Sequence, residues 1–66
     1  MEYSNSQVRE IISEYIHSER DRKIMERRLV DKITIERLAE EFDLSVSQMK
    51  RVIKANETVI FSHFPK

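Results

Sequence analysis

The chain has no glycine, no cysteine and no tryptophan, and its single proline, Pro65, stands beside the last residue. Average usage would place about four or five glycines in 66 residues. Without them there is no phosphate-cradling glycine loop, no dinucleotide fingerprint and no glycine hairpin turn. Without cysteine there is no disulfide framework and no thiolate zinc site. Apolar runs are also short, the longest being Val59, Ile60 and Phe61. That excludes a membrane span and the apolar core of a signal peptide, so the expectation is a cytoplasmic protein with no membrane partner. His17 and His63 are far apart in sequence and have no cysteine to join them. No metal site, cofactor or catalytic residue is expected, and the chain does not read as an enzyme.

Hydrophobic residues make up 39% of the chain, enough for a small core and too much for disorder. A chain this short buries only about 60% of its unfolded surface, so a second copy of the chain is an expected source of further burial.

The apolar spacing is helical nearly throughout. Val8, Ile11, Ile12, Tyr15 and Ile16 form one stripe, and Ser4 with Gln7 makes a capping box ahead of it. These predict a first helix over about 5–17. At about 100° per residue, Ile24 falls opposite that stripe. Ser18 followed by Asp21 is a fresh start signal, with acids in the first turn. A second helix is predicted over about 19–30, with Ile24, Met25 and Leu29 inward. Thr34 caps a short third helix, about 35–42, with Leu38, Ala39 and Phe42 inward. Ser45 with Gln48 is a second capping box. A fourth helix begins at Val46, with Met49, Val52 and Ile53 inward. It runs on to Phe64, or breaks and re-caps at Ala55–Asn56. The expected fold is all-α: a bundle of four to five helices, one domain over 1–66.

The charge is zero only in sum. Residues 1–19 carry Glu2, Glu10, Glu14 and Glu19 against Arg9. Residues 20–28 hold five bases and two acids, a run that reads as a solvated, acid-interleaved face. Residues 36–43 set four acids against Arg37. Residues 44–54 hold Lys50, Arg51 and Lys54 with no acid. Such a dipolar arrangement presents a basic face to an anionic partner despite zero net charge.

A cap, a short helix, a turn, a second cap and a basic helix, about 34–54, read as a helix-turn-helix. Ala39 is the small residue where the helices cross, and Phe42, Leu44, Met49 and Val52 fill the angle. The outer stripe of the second helix is Ser47, Lys50, Arg51 and Lys54, with Ser45 and Gln48 flanking it near the helix start. Thr58 extends it if the helix continues. These residue types suit base edges in a major groove. The same stripe also fits a plain solvated helix face.

The run T-I-E-R-L-A-E-E-F-D-L-S-V-S-Q-M-K-R-V (34–52) resembles the helix-turn-helix of the fourth region of bacterial sigma factors, which binds the −35 promoter element. The preceding E-R-D-R-K-I-M-E-R-R-L-V-D (19–31) is similar to the helix that leads into it. Small stand-alone relatives with this pattern occur in phages and mobile elements. The resemblance implies that Ser45, Ser47, Gln48, Lys50, Arg51 and Lys54 match DNA-facing positions, and that Arg28, Lys32 and Thr34 lie near the phosphate backbone. Turns in that family often carry glycine where this chain has Lys32 and Asp43. Aspartate tolerates the left-handed backbone well and lysine less comfortably. The expected partners are double-stranded DNA and RNA polymerase, in transcription regulation. The alternative is a helical protein–protein module that binds polymerase or a regulator without touching DNA.

Overall fold

The structure, a computed structural model, describes residues 4–63. Within them the chain forms four helices and no strand: α1 (Asn5–Tyr15), α2 (Glu19–Leu29), α3 (Ile35–Glu41) and α4 (Val46–Ser62). Each starts at a residue whose side-chain oxygen accepts a backbone N–H of the first turn, satisfying a donor that has no partner inside the helix. Ser4 accepts from Gln7 and Ser45 from Gln48, both with the reciprocal glutamine bond of a capping box, while Ser18 accepts from Asp21 and Thr34 from Arg37. All four predicted starts are therefore correct.

The ends differ more. α1 stops at Tyr15, two residues before the predicted end, because Ile16 turns to extended backbone (φ −105°, ψ 114°). Arg22 donates from Nε to the Ile16 carbonyl at that junction. α2 and α3 each end one residue early. α4 does not break at Asn56. The Asn56 amide donates to the Val52 carbonyl at 2.8 Å and to Asp21 Oδ2 at 3.1 Å, so the polar group on the inward face is satisfied from α2 without interrupting the helix. The predicted extension to Phe64 lies outside the described residues.

One cluster makes the core. It joins Val8, Ile12 and Ile16 to Ile24 and Met25, Leu38 and Ala39, and Met49, Ile53 and Ile60. α1 packs on α2 and α4, and α3 packs on α2 and α4. Val8, Ile12 and Ile16 of the α1 stripe are thus covered within one chain. Ile11, Leu29, Phe42, Leu44 and Val52 pack at the edge of the core and are only partly buried. Tyr15, expected inward, is 38% exposed. Ile16 takes the inward place instead, and the tyrosine ring stacks on His63 at 3.6 Å and 3°.

Without glycine, the chain turns through two left-handed residues that carry a Cβ, Lys32 (φ 58°) and Asp43 (φ 55°). Asp43 follows the cap of α3. Its N–H donates to Glu40 O at 3.3 Å and that of Leu44 to Ala39 O at 2.9 Å, a Schellman closure. At the other turn, Ile33 N–H donates to Arg27 O at 3.1 Å, and Arg28 Nη1 donates to Ile33 O at 3.0 Å.

Two outcomes follow. Leu38→Ala should cost about 2–5 kcal/mol by cavity formation, and Phe42→Ala less, because its ring sits at the core's edge; urea unfolding of the two variants measures the order. Lys32→Gly should raise stability by about 0.5–1 kcal/mol, since glycine removes the left-handed penalty while adding some unfolded-state entropy; an unchanged or lower denaturation midpoint contradicts it.

Candidate nucleic-acid interface

The outer face of α4 follows from its inner one. Met49, Ile53 and Ile60 are buried, so residues on the opposite side of the helix stand in solvent. Ser47, Lys50, Arg51 and Lys54 are all exposed there, as the spacing predicts. Thr58 extends the face, although its hydroxyl donates back to the Lys54 carbonyl at 3.1 Å. At about 1.5 Å per residue the 17-residue helix is about 25 Å long.

The five bases of residues 20–28 all have partners within the chain. Arg20 meets Asp21 at 3.1 Å and Lys23 meets Glu19 at 3.9 Å. Arg22 and Arg28 donate to backbone carbonyls. Arg27 reaches across to α3, its Nε 3.2 Å from Glu41 Oε2 and its Nη2 on Glu41 Oε1, with Asp31 3.5 Å away. The hydrogen bond to Glu41, then its charge and that of Asp31, raise the Arg27 pKa further above its ordinary value. Arg9 on α1 pairs with Glu26 at 3.6 Å. Among the described residues, the cationic side chains without such a partner are Lys32, Arg37, Lys50, Arg51 and Lys54. The basic run that dominates the sequence is therefore internally engaged, and the unpaired positive charge collects on α4 and on the segment from Lys32 to Arg37.

The remaining candidate residues do two things at once. Ser45 and Gln48 are exposed, but their side chains close the α4 capping box at 3.1 and 2.9 Å. Thr34 is exposed and caps α3, accepting from the Arg37 N–H at 3.3 Å. Arg28 is half-buried and ties down the turn before α3. Lys32 is exposed on its left-handed backbone. Arg37 was not among the residues singled out from the sequence, because its stretch reads as acidic. Only its lack of an acid partner in three dimensions brings it forward.

No helix among the described residues is long and apolar enough to cross a membrane. No family model matches the chain, and neither a curated protein nor a solved structure does.

The capping and stripe residues should separate by stability. Ser45→Ala should lower the stability by about 1 kcal/mol through loss of the cap. Lys50→Ala, Arg51→Ala and Lys54→Ala should each stay within about 0.5 kcal/mol of the parent, as exposed unpaired side chains do. Thermal melting of the four variants reads the difference.

Proposed function

We propose that the protein is a DNA-binding transcriptional regulator of a bacterium, phage or mobile element. In this reading α3, its turn and α4 are a helix-turn-helix, and α4 enters the major groove. The observation that carries the reading is the segregation of charge. The bases of α2 are held by acids and carbonyls of the same chain, while Lys50, Arg51 and Lys54 stand unpaired along one exposed helix face. A fixed array of unpaired cations attracts phosphate and displaces its counterions, and the same side chains reach base edges once the helix is seated.

Two further features support it. The left-handed residues Lys32 and Asp43 fall where turns of the sigma-factor region often carry glycine, so a backbone shape in keeping with the resemblance is present without the usual residue. Lys32, Thr34 and Arg37 lie together in the segment that leads into and begins α3, the helix that crosses the backbone in this mode of docking, and supply phosphate contacts. Arg28 acts there chiefly by holding the turn. RNA polymerase is the protein partner in the same reading. The zero net charge favours the rival reading, a protein-binding module, since single-module DNA binders are usually basic.

Binding to labelled duplex DNA over a range of salt tests the proposal. Arg51→Ala should lower specific affinity by about 1–3 kcal/mol. Lys32→Ala should weaken all sequences nearly alike and reduce the salt slope by about 1. A folded Lys50→Ala/Arg51→Ala/Lys54→Ala protein that binds duplex as the parent does removes α4 from the interface.

A further inference from the structure

We infer that the outer face of α1 is a docking surface for α4 of a second copy, so that copies of the chain associate head to tail and cover the cations proposed to read DNA. The contact itself follows from charge and spacing, and its consequence for DNA rests on the proposed docking of α4.

Glu10 and Glu14 are exposed on α1, and neither carboxylate meets a cation among the described residues. They stand four residues apart, about 6 Å along the helix. Lys50 and Lys54 have the same separation on α4 and are likewise exposed and unpaired. Two helices laid side by side and antiparallel bring Glu14 to Lys50 and Glu10 to Lys54 at once. Antiparallel is also the orientation in which helix dipoles attract. At about 100° per residue, Ile11 and Tyr15 lie on one flank of the acid pair, and Arg51 lies on the matching flank of the lysine pair. In that register Arg51 comes level with a point midway between Ile11 and Tyr15. The tyrosine is 38% exposed, and a guanidinium against its ring adds a cation–π attraction.

The acids of α3 make a useful contrast. Glu36 and Glu40 repeat the four-residue spacing and are also exposed and unpaired. There, however, the place of Ile11 is taken by Arg37, and the place of Tyr15 by Glu41, which Arg27 already holds. An incoming Arg51 would meet a like charge on α3 and an apolar, aromatic flank on α1.

The two faces are different surfaces of one chain, so the contact is heterologous, and each added copy leaves one α1 and one α4 open for the next. Exposed ion pairs are individually weak and are screened by salt, so the association belongs to high protein concentration and low salt. It covers Lys50, Arg51 and Lys54. Duplex DNA, with one phosphate charge in about 1.7 Å of axis, competes for the same cations and takes the copies apart.

Sedimentation equilibrium at up to about 1 mM protein, a range suited to so weak a contact, tests the inference. In low salt the average mass should rise with concentration above the 8.0 kDa of one chain. It should return to that value in about 0.5 M salt, and on adding a duplex that the protein binds. Glu10→Gln/Glu14→Gln and Lys50→Gln/Lys54→Gln should each be monomeric alone. Mixed in equal amounts they should form a pair and nothing larger, because each supplies the half that the other lacks. Glu36→Gln/Glu40→Gln changes the net charge as the α1 variant does and should associate like the parent. Unshifted thermal melting shows that the variants are folded. A parent that stays monomeric in low salt, association that survives Glu10→Gln/Glu14→Gln, or an equal loss in the α3 variant each overturn the contact and leave DNA binding standing. Copies that stay associated while bound to duplex overturn the competition. A parent that binds no duplex at any salt removes the docking proposal and the competition with it, while the masses alone judge the contact between copies.

Discussion

Two backbone reversals made without glycine set the geometry of the whole molecule. Lys32 lets the chain leave α2 and enter α3, and Asp43 lets it leave α3 and enter α4. A left-handed residue that carries a Cβ costs about 1–2 kcal/mol, so each must be held by its surroundings. At Asp43 the Schellman bonds and Leu44, which packs at the core's edge, do the holding. At Lys32 the Arg28 guanidinium on the Ile33 carbonyl and the Ile33 N–H on Arg27 do so. The direction in which α4 leaves the body of the domain depends on both.

Electrostatics then sorts what the backbone has arranged. Exposed ion pairs contribute little to stability, with a typical value of about 0–1 kcal/mol. Their effect on the surface is larger than their effect on the fold. By neutralising α2, the partners Glu19, Asp21, Asp31 and Glu41 leave a simpler field than the sequence suggests. Unpaired positive charge lies on α4 and around the α2–α3 turn, and Glu10 and Glu14 stand on α1. A chain with zero net charge can in this way carry a local field of one sign, the property on which the proposed encounter with DNA depends.

Much of the fold was legible because its signals are local. A capping box at Ser4–Gln7 or Ser45–Gln48 needs only three residues of separation, and Ser18 and Thr34 announce their helices in the same way. Burial of Ile24 and Met25 on α2 and of Met49 and Ile53 on α4 followed from period, whereas Leu29 and Val52 reach only the edge of the core. What stayed hidden depended on contacts between distant segments. Tyr15 and Ile16 are neighbours on one helical stripe, and only the break after Tyr15 decides that the isoleucine goes in and the tyrosine lies over His63. Asn56 looked like a helix break because its partner, Asp21, lies 35 residues earlier. Of the candidate interface, the α4 stripe was readable from spacing. The commitment of Arg28 to a carbonyl, of Gln48 to its cap, and the unpaired state of Arg37 were not, since each is a fact about partners and not about periodicity.

The bond between Asn56 and Asp21 bears on how α4 is seated along its own axis. Aliphatic side chains such as Ile53 and Ile60 resist exposure to water but are tolerant of a small roll or slide of one helix over another. A hydrogen bond of 3.1 Å between two partly buried polar groups is satisfied at one rotational setting only. Advancing α4 by a single residue would turn it through about 100°. Arg51 would then give way to Val52, and the bond between the two helices would be lost, leaving Asn56 with the Val52 carbonyl of its own helix and Asp21 with Arg20. The amide on α4 thus works as an index mark: it makes one angular setting of the helix, and with it one ordered set of outward side chains, the setting that folding selects.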